Sequence, residues 1–192
     1  MPETASRVLA LLRGVNVAGR SMLSMAELKS QLDASGLPDV RTHLNSGNLL
    51  LLPGSTDPKE LARLIQQVIR DHFDLEIGVI IRTREELEDV VARNPLLEPG
   101  VTGTQLHGIF LAETPDERQV ADLDPDRSPP DRFVVSGKEI YVHYPRGSGR
   151  SKLNLDYFER TIDVIGTARN WNTVTRLLEM LNRWEPGVSG RR

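Results

Sequence analysis

Twice in this chain two strand-like runs meet across a Ser-Gly dipeptide, at Ser46-Gly47 and, 90 residues later, at Ser136-Gly137. Successive side chains of a strand point to opposite faces. A polar turn between two such runs therefore marks an antiparallel hairpin. In the first, Val40, Thr42 and Leu44 alternate with Arg41 and His43, Ser46-Gly47-Asn48 turns the chain, and Leu49 to Leu52 returns. In the second, Arg132 to Val135 and Glu139 to Tyr144 flank Ser136-Gly137-Lys138. What surrounds each hairpin then decides the fold.

Ahead of the first lies Arg7 to Arg13, whose core Val8-Leu9-Ala10-Leu11-Leu12 is apolar throughout, as in a central strand. The loop Gly14 to Ser21 leads to Ser24 and Glu27, spaced as a capping box, and to a helix facing Met25, Leu28 and Leu32 inward. Gly36 ends that helix and Pro38 prevents its resumption. After the hairpin, Asp57, Pro58 and Glu60 start a helix with Leu61, Leu64, Ile65, Val68 and Ile69 on one face, and Ile77 to Arg82 reads as a strand. The order strand, helix, strand, strand, helix, strand is that of a ferredoxin-like plait. Thr83 and Glu86 cap a short helix, and Asn94-Pro95 with Glu98-Pro99-Gly100 punctuates the chain. From Gln105 to Glu113, a strand, the order nearly repeats. Thr114, Pro115 and Glu117 open a short helix, Asp122 to Asp131 is a loop, and the second hairpin and a helix around Leu155 to Ile162 follow. A short extended link leads to the last helix. The expected class is α+β, with two ferredoxin-like (α-β plait) subdomains whose antiparallel sheets carry helices on one face. The boundaries are 1–83, 84–185 with an extra terminal helix, and a polar tail, 186–192. Duplication and coincident use of good turn residues both explain the repeat.

The 192 residues contain no cysteine, which excludes disulfides and thiolate metal sites. Met1 to Ser6 is polar, the run Val8 to Leu12 is too short for a signal-peptide core, and nothing approaches the apolar length of a membrane span. A soluble cytoplasmic protein is expected, with no membrane partner. The net charge of −3 argues against a general polyanion binder. Residues 146–192, however, hold nine basic against five acidic side chains, an excess of +4, so a local anion site is compatible with the acidic total.

Four stretches concentrate ligand-gripping side chains. Thr167-Ala168-Arg169-Asn170-Trp171-Asn172-Thr173-Val174 is placed at the start of the last helix. There Asn170 suits an N-cap, Trp171 begins an apolar face with Val174, Leu177, Leu178, Leu181 and Trp184, and Arg169 stands beside free amides. Tyr144-Pro145-Arg146-Gly147-Ser148-Gly149-Arg150-Ser151-Lys152 joins a strand to a helix, a setting in which glycine-rich basic loops hold phosphates, although it lacks the Walker spacing. Arg13-Gly14-Val15-Asn16 leaves the first strand, and Ser46-Gly47-Asn48 is the first turn. Each has a purely structural alternative: a cap, a basic surface loop, a backbone bend or a hairpin turn. His43, His107 and His143 are expected on strands, out of phase with the core, and His72 at a helix end. No pair has a metal-binding spacing.

Leu11-Leu12-Arg13-Gly14-Val15-Asn16-Val17, Met25-Ala26-Glu27-Leu28, Val40-Arg41-Thr42, Ser46-Gly47-Asn48, Ser151-Lys152-Leu153 and the 167–174 stretch, taken in that order, resemble the signatures of the bacterial domain-of-unknown-function family 1697. The resemblance spans nearly the whole chain. It implies two ferredoxin-like plaits and no established activity or cofactor. His43 stands where a tyrosine is expected and Leu52 where an aromatic is expected, which speaks against a catalytic role for His43. The motif residues are Arg13, Asn16, Ser46, Asn48, Ser151, Lys152, Thr167, Arg169, Asn170, Asn172 and Thr173; Arg150 joins them from the basic loop. The expected function is a binding module for a phosphate-bearing ligand, a nucleotide or nucleic acid, at a site between the subdomains. Lys152, Arg150 and Arg169 are expected to converge on one anion pocket. The alternative is a structural or protein-interaction module whose polar motifs weld the subdomains with no ligand. A hydrolytic or phosphoryl-transfer enzyme ranks third, since no general base stands out by spacing.

Overall fold

A computed structural model describes residues 7–16, 22–53 and 56–184. The N-terminal residues 1–6, part of the first loop (17–21) and the expected tail, 186–192, lie outside them. The described residues fall into two compact units: one reaches Glu88 and takes up again at Leu177, the other is Asp89–Arg176.

In the first unit the strands are β1 (Val8–Leu12), β2 (Arg41–Thr42), β3 (Asn48–Leu51) and β4 (Val79–Thr83), with α1 (Met25–Ala34) and α2 (Pro58–Phe73) between them. They form one antiparallel sheet in the order β2-β3-β1-β4, the ferredoxin-like arrangement. As the unbroken apolar run requires, β1 is central, and all five of its side chains are buried. Val8, Ala10 and Leu12 meet Leu28 and Leu32 of α1 and Leu61, Ile65 and Ile69 of α2 in one core. The caps follow the sequence. Ser24 Oγ accepts the Glu27 N–H, and Asp57 accepts those of Lys59 and Glu60. Thr83 and Glu86 satisfy each other's amides at the start of α3 (Arg84–Ala92). The expected alternation of Val40 to Leu44 breaks early. Leu44 turns left-handed (φ 58) and is exposed, so β2 keeps only two residues and the turn begins at His43.

The second unit contains β5 (Leu106–Leu111), α4 (Glu117–Ala121), β6 (Arg132–Ser136), β7 (Glu139–His143), α5 (Leu155–Ile162) and β8 (Gly166–Asn170). Its sheet runs β6-β7-β5-β8, the same order, again antiparallel. Ile109, Ile140, Val142, Tyr144, Leu153, Phe158 and Ile162 make the core on the helix side. Two expectations are corrected. The presumed extended link is a full strand, β8, and the last helix, α6 (Trp171–Asn182), begins directly after it. The cap of α4 is Asp116, which accepts the Arg118 N–H at 2.8 Å, rather than Thr114, because an aspartate directly before the first turn reaches the free amides.

Register makes the repeat concrete. Leu9 lies between Leu50 and Arg82, and Gly108 between Tyr141 and Arg169. Arg82 and Arg169 are therefore matching fourth residues of the last strand in each plait. Both are buried, and each donates Nη1 to the carbonyl of the residue before it, Ile81 at 2.9 Å and Ala168 at 2.8 Å.

Candidate functional site

In the first unit the motif side chains are spent on the chain itself. Asn16 sits left-handed (φ 53), a conformation asparagine tolerates, and uses both ends of its amide. Oδ1 accepts the Leu23 N–H at 2.8 Å, while Nδ2 donates to the carbonyls of Leu23 (2.9 Å) and Asn45 (2.6 Å). One side chain thus ties the segment before α1 to the β2–β3 turn. Inside that turn Asn48 is fully buried and donates to the His43 carbonyl (2.8 Å) and Ser46 Oγ (3.0 Å). Gly47 (φ 77) lets the turn lie on β1, and its carbonyl accepts the Leu12 N–H at 2.8 Å. Arg13, half-buried, leaves β1 with its backbone N–H on the Gly78 carbonyl.

In the second unit, β8 splits the 167–173 motif between two faces. Ala168 packs into the helix-side core, so Thr167 and Arg169 point to the opposite face. Arg169 is 7% exposed and donates to Thr167 Oγ1 at 2.7 Å. Burial pulls its guanidinium down to about 10, which still leaves it charged at neutral pH. Trp171, buried, tilts against Tyr141 at 6.0 Å between ring centroids and covers the space left by Gly108. Burial, aided by the Glu139 charge, pushes the Tyr141 hydroxyl up to about 12, and it donates to the Val90 carbonyl. Asn170 caps α6 as expected, accepting the Asn172 N–H at 3.0 Å, and donates to the Thr104 carbonyl at 3.4 Å. Asn172 Oδ1 lies so close to Gly103 that any Cβ there would collide with it, and Thr173 is half-buried on the first turn.

The basic loop builds a cleft of about 500 Å³. One wall is Arg146, Gly147, Gly149, Arg150 and Ser151; the other is 128–131, with a cis bond between Pro129 and Pro130. Ser128 Oγ joins the walls: it donates to Asp131 Oδ2 (2.9 Å) and accepts from the Lys152 N–H (3.1 Å) and Ser151 Oγ (3.4 Å). Behind them Arg127 stacks 4.0 Å over the Tyr157 ring and donates Nε to the Lys152 carbonyl. Tyr144 anchors the root of the loop through its hydroxyl to the Leu153 carbonyl (2.7 Å), and burial with the Asp131 charge raises that hydroxyl well above its usual range. Arg146 and Arg150 are exposed and make no hydrogen bond or ion pair with the described residues.

Lys152, Arg150 and Arg169 therefore do not converge. Arg150 lines the cleft, the exposed Lys152 contributes its backbone at the margin, and Arg169 is held on the sheet face away from Leu153 and the helix-side core. The sequence reading missed Ser128 and Asp131, which lay in a stretch taken only as a Pro- and Asp-rich loop. Nothing in the order of residues announces that a loop some twenty positions away lies against them.

Of the histidines, His143 is buried on the face opposite the helix-side core, with Nδ1 3.4 Å from Arg132 Nη2. Arg132 also pairs with Glu98, holding that carboxyl below its usual range. His107 corrects its expected phase. It shares the face of Ile109 and Leu111, meets Tyr144 edge-on at 5.1 Å, and burial lowers its pKa. Among the described residues no three His, Asp or Glu side chains are grouped as for a metal ion, and no helix is long and apolar enough to cross a membrane.

A family model described as a protein of unknown function, DUF1697, matches residues 5–141. Among solved structures, the chain is similar to the conserved bacterial protein SP0830 from Streptococcus pneumoniae, with 21% identity over 92% of this chain and 98% of that one and a TM-score of 0.69. That likeness bears on the fold. No curated protein matches. The model match over most of the sequence, together with two plaits of the same strand order, places this chain in the DUF1697 family.

Proposed function

We propose that the chain is a binding module for a phosphate-bearing small molecule, held in the cleft between the 146–151 loop and residues 128–131. The observation that carries this reading is the pair Arg146 and Arg150, two guanidinium groups with no partner among the described residues, beside a cleft rimmed by the Ser128 and Ser151 hydroxyls. Guanidinium groups match phosphate oxygens in geometry and charge. The cleft volume falls in the range of small-molecule sites, roughly 300–1,000 Å³. The reading includes a cytoplasmic setting, where phosphorylated metabolites are abundant, and no reaction.

A ligand that binds only the native state raises stability by RT ln(1 + [L]/Kd), about 1.4 kcal/mol at ten times Kd. Inorganic phosphate should therefore raise the melting temperature of the parent, and Arg146→Ala with Arg150→Ala should abolish the rise in a folded protein. An unchanged rise in that double variant rejects the site.

A second reading is favoured by the amides of Asn16, Asn48 and Asn170, all of which serve the chain's own backbone. In it, the motif residues brace loops within each unit and the module's role is structural, with no ligand.

A further inference from the structure

We infer that the cleft beside Arg146 and Arg150 takes a sugar phosphate, its phosphate held by the two arginines and its sugar hydroxyls by Asp131. This rests on the anion-binding reading above and narrows it by three observations.

The first is charge. Among the described residues the lining carries two guanidinium groups and one carboxylate, a net of one positive charge. A phosphate monoester brings about −1.5 to −2 at neutral pH. The larger charge of a triphosphate would exceed what the arginines neutralise and press on Asp131. The second is the free acceptor. Asp131 Oδ2 accepts from Ser128, whereas Oδ1 accepts nothing from the described residues. An ionised carboxylate has about four lone-pair positions and is acceptor-only, so its natural complement is a ligand hydroxyl. A bare phosphate offers Asp131 nothing but repulsion. The third is the lining itself, which among the described residues contains no aromatic ring. A nucleobase site usually provides a stacking face, worth about 1–3 kcal/mol per base, and this cleft has prolines and glycines instead.

Isothermal titration calorimetry on the full chain, with ribose 5-phosphate, glucose 6-phosphate, inorganic phosphate, ATP and ribose, tests the idea. At least one of the two sugar phosphates should bind about tenfold or more tighter than inorganic phosphate, ATP and free ribose. Asp131→Asn keeps an acceptor for Ser128 and removes the charge. It should weaken the sugar phosphate about tenfold and leave inorganic phosphate as tight or tighter, while Arg150→Ala should weaken both. If inorganic phosphate binds and Arg150→Ala abolishes it, but neither sugar phosphate is tighter than phosphate or ATP, the sugar-phosphate assignment is overturned and the anion site stands. If none of the phosphate compounds binds the parent, both fall. Should Asp131→Asn fail to fold, the ranking of ligands on the parent decides alone.

Discussion

Gly47 and Gly137 are the glycines of the two Ser-Gly turns, and both have positive φ, 77 and 59. Their surroundings differ. A Cβ added at Gly137 meets nothing within 4 Å, whereas at Gly47 it falls 2.5 Å from Val15 Cγ2 and 2.6 Å from Leu12 Cβ. The left-handed conformation costs an alanine about 1–2 kcal/mol, offset in part by the lower entropy of the unfolded chain. Gly137→Ala should therefore cost about 1 kcal/mol. Gly36, in the same unit as Gly47, has φ 89 and open space, and serves as the matched control. At Gly47 the clash adds an overpacking term of about 1–3 kcal/mol, because Leu12 and Val15 are buried and have nowhere to move. Gly47→Ala should thus lose about 2–4 kcal/mol. Urea unfolding followed by tryptophan fluorescence measures this. In a Trp171→Phe background the signal comes from Trp184, which belongs to the same unit as Gly47. A midpoint shift for Gly47→Ala no larger than for Gly36→Ala, at equal m-value, would refute the close approach of the turn to β1.

Three more predictions concern stability. Trp171→Ala removes a buried ring and should cost about 3–5 kcal/mol by chemical denaturation; a variant that unfolds with the parent would show the ring to be exposed. Asn16→Gly keeps the left-handed backbone but deletes three hydrogen bonds, each worth about 0.5–1.5 kcal/mol, so a loss of about 2–4 kcal/mol is expected, and a loss under 0.5 kcal/mol would mean the brace is dispensable. Burial depresses the folded pKa of His107, so the unfolded chain binds the proton more readily. That contribution to stability is complete above the unfolded pKa of about 6.5 and is lost as pH falls from there towards the depressed folded value. His107→Gln should flatten the dependence of the urea midpoint in that window, and an unaltered slope would assign it to other groups.

Elements whose residues repeat with the right period were legible in the sequence. The apolar stripe Leu61, Ile65, Val68, Ile69 marked one helix face by its period, and Val8 to Leu12, though without a period, read as a covered central strand by its short unbroken apolar run. β8 escaped because Gly166-Thr167-Ala168-Arg169-Asn170 offers no apolar alternation; its inward positions are filled by small residues, and its other face buries an arginine. Arg169 looked like a ligand residue for the same reason, since a charge in a polar stretch gives no sign that a strand will bury it. The candidate cleft was half legible. Arg150 and Ser151 announced themselves by composition, while Ser128 and Asp131 entered only through a loop-to-loop contact that no local pattern encodes.

The first unit resumes at Leu177 after the whole of Asp89–Arg176 has intervened. Arg7, just ahead of β1, donates to the Leu181 carbonyl at 3.1 Å, and Arg41 of β2 lies 4.5 Å over the ring of Trp184. During synthesis these contacts have to wait. At ~5–20 residues per second the ribosome needs on the order of ten seconds to make the intervening unit. For that time the first plait exists with its sheet encoded and its closing segment missing, so the second unit is synthesised before the first can be completed.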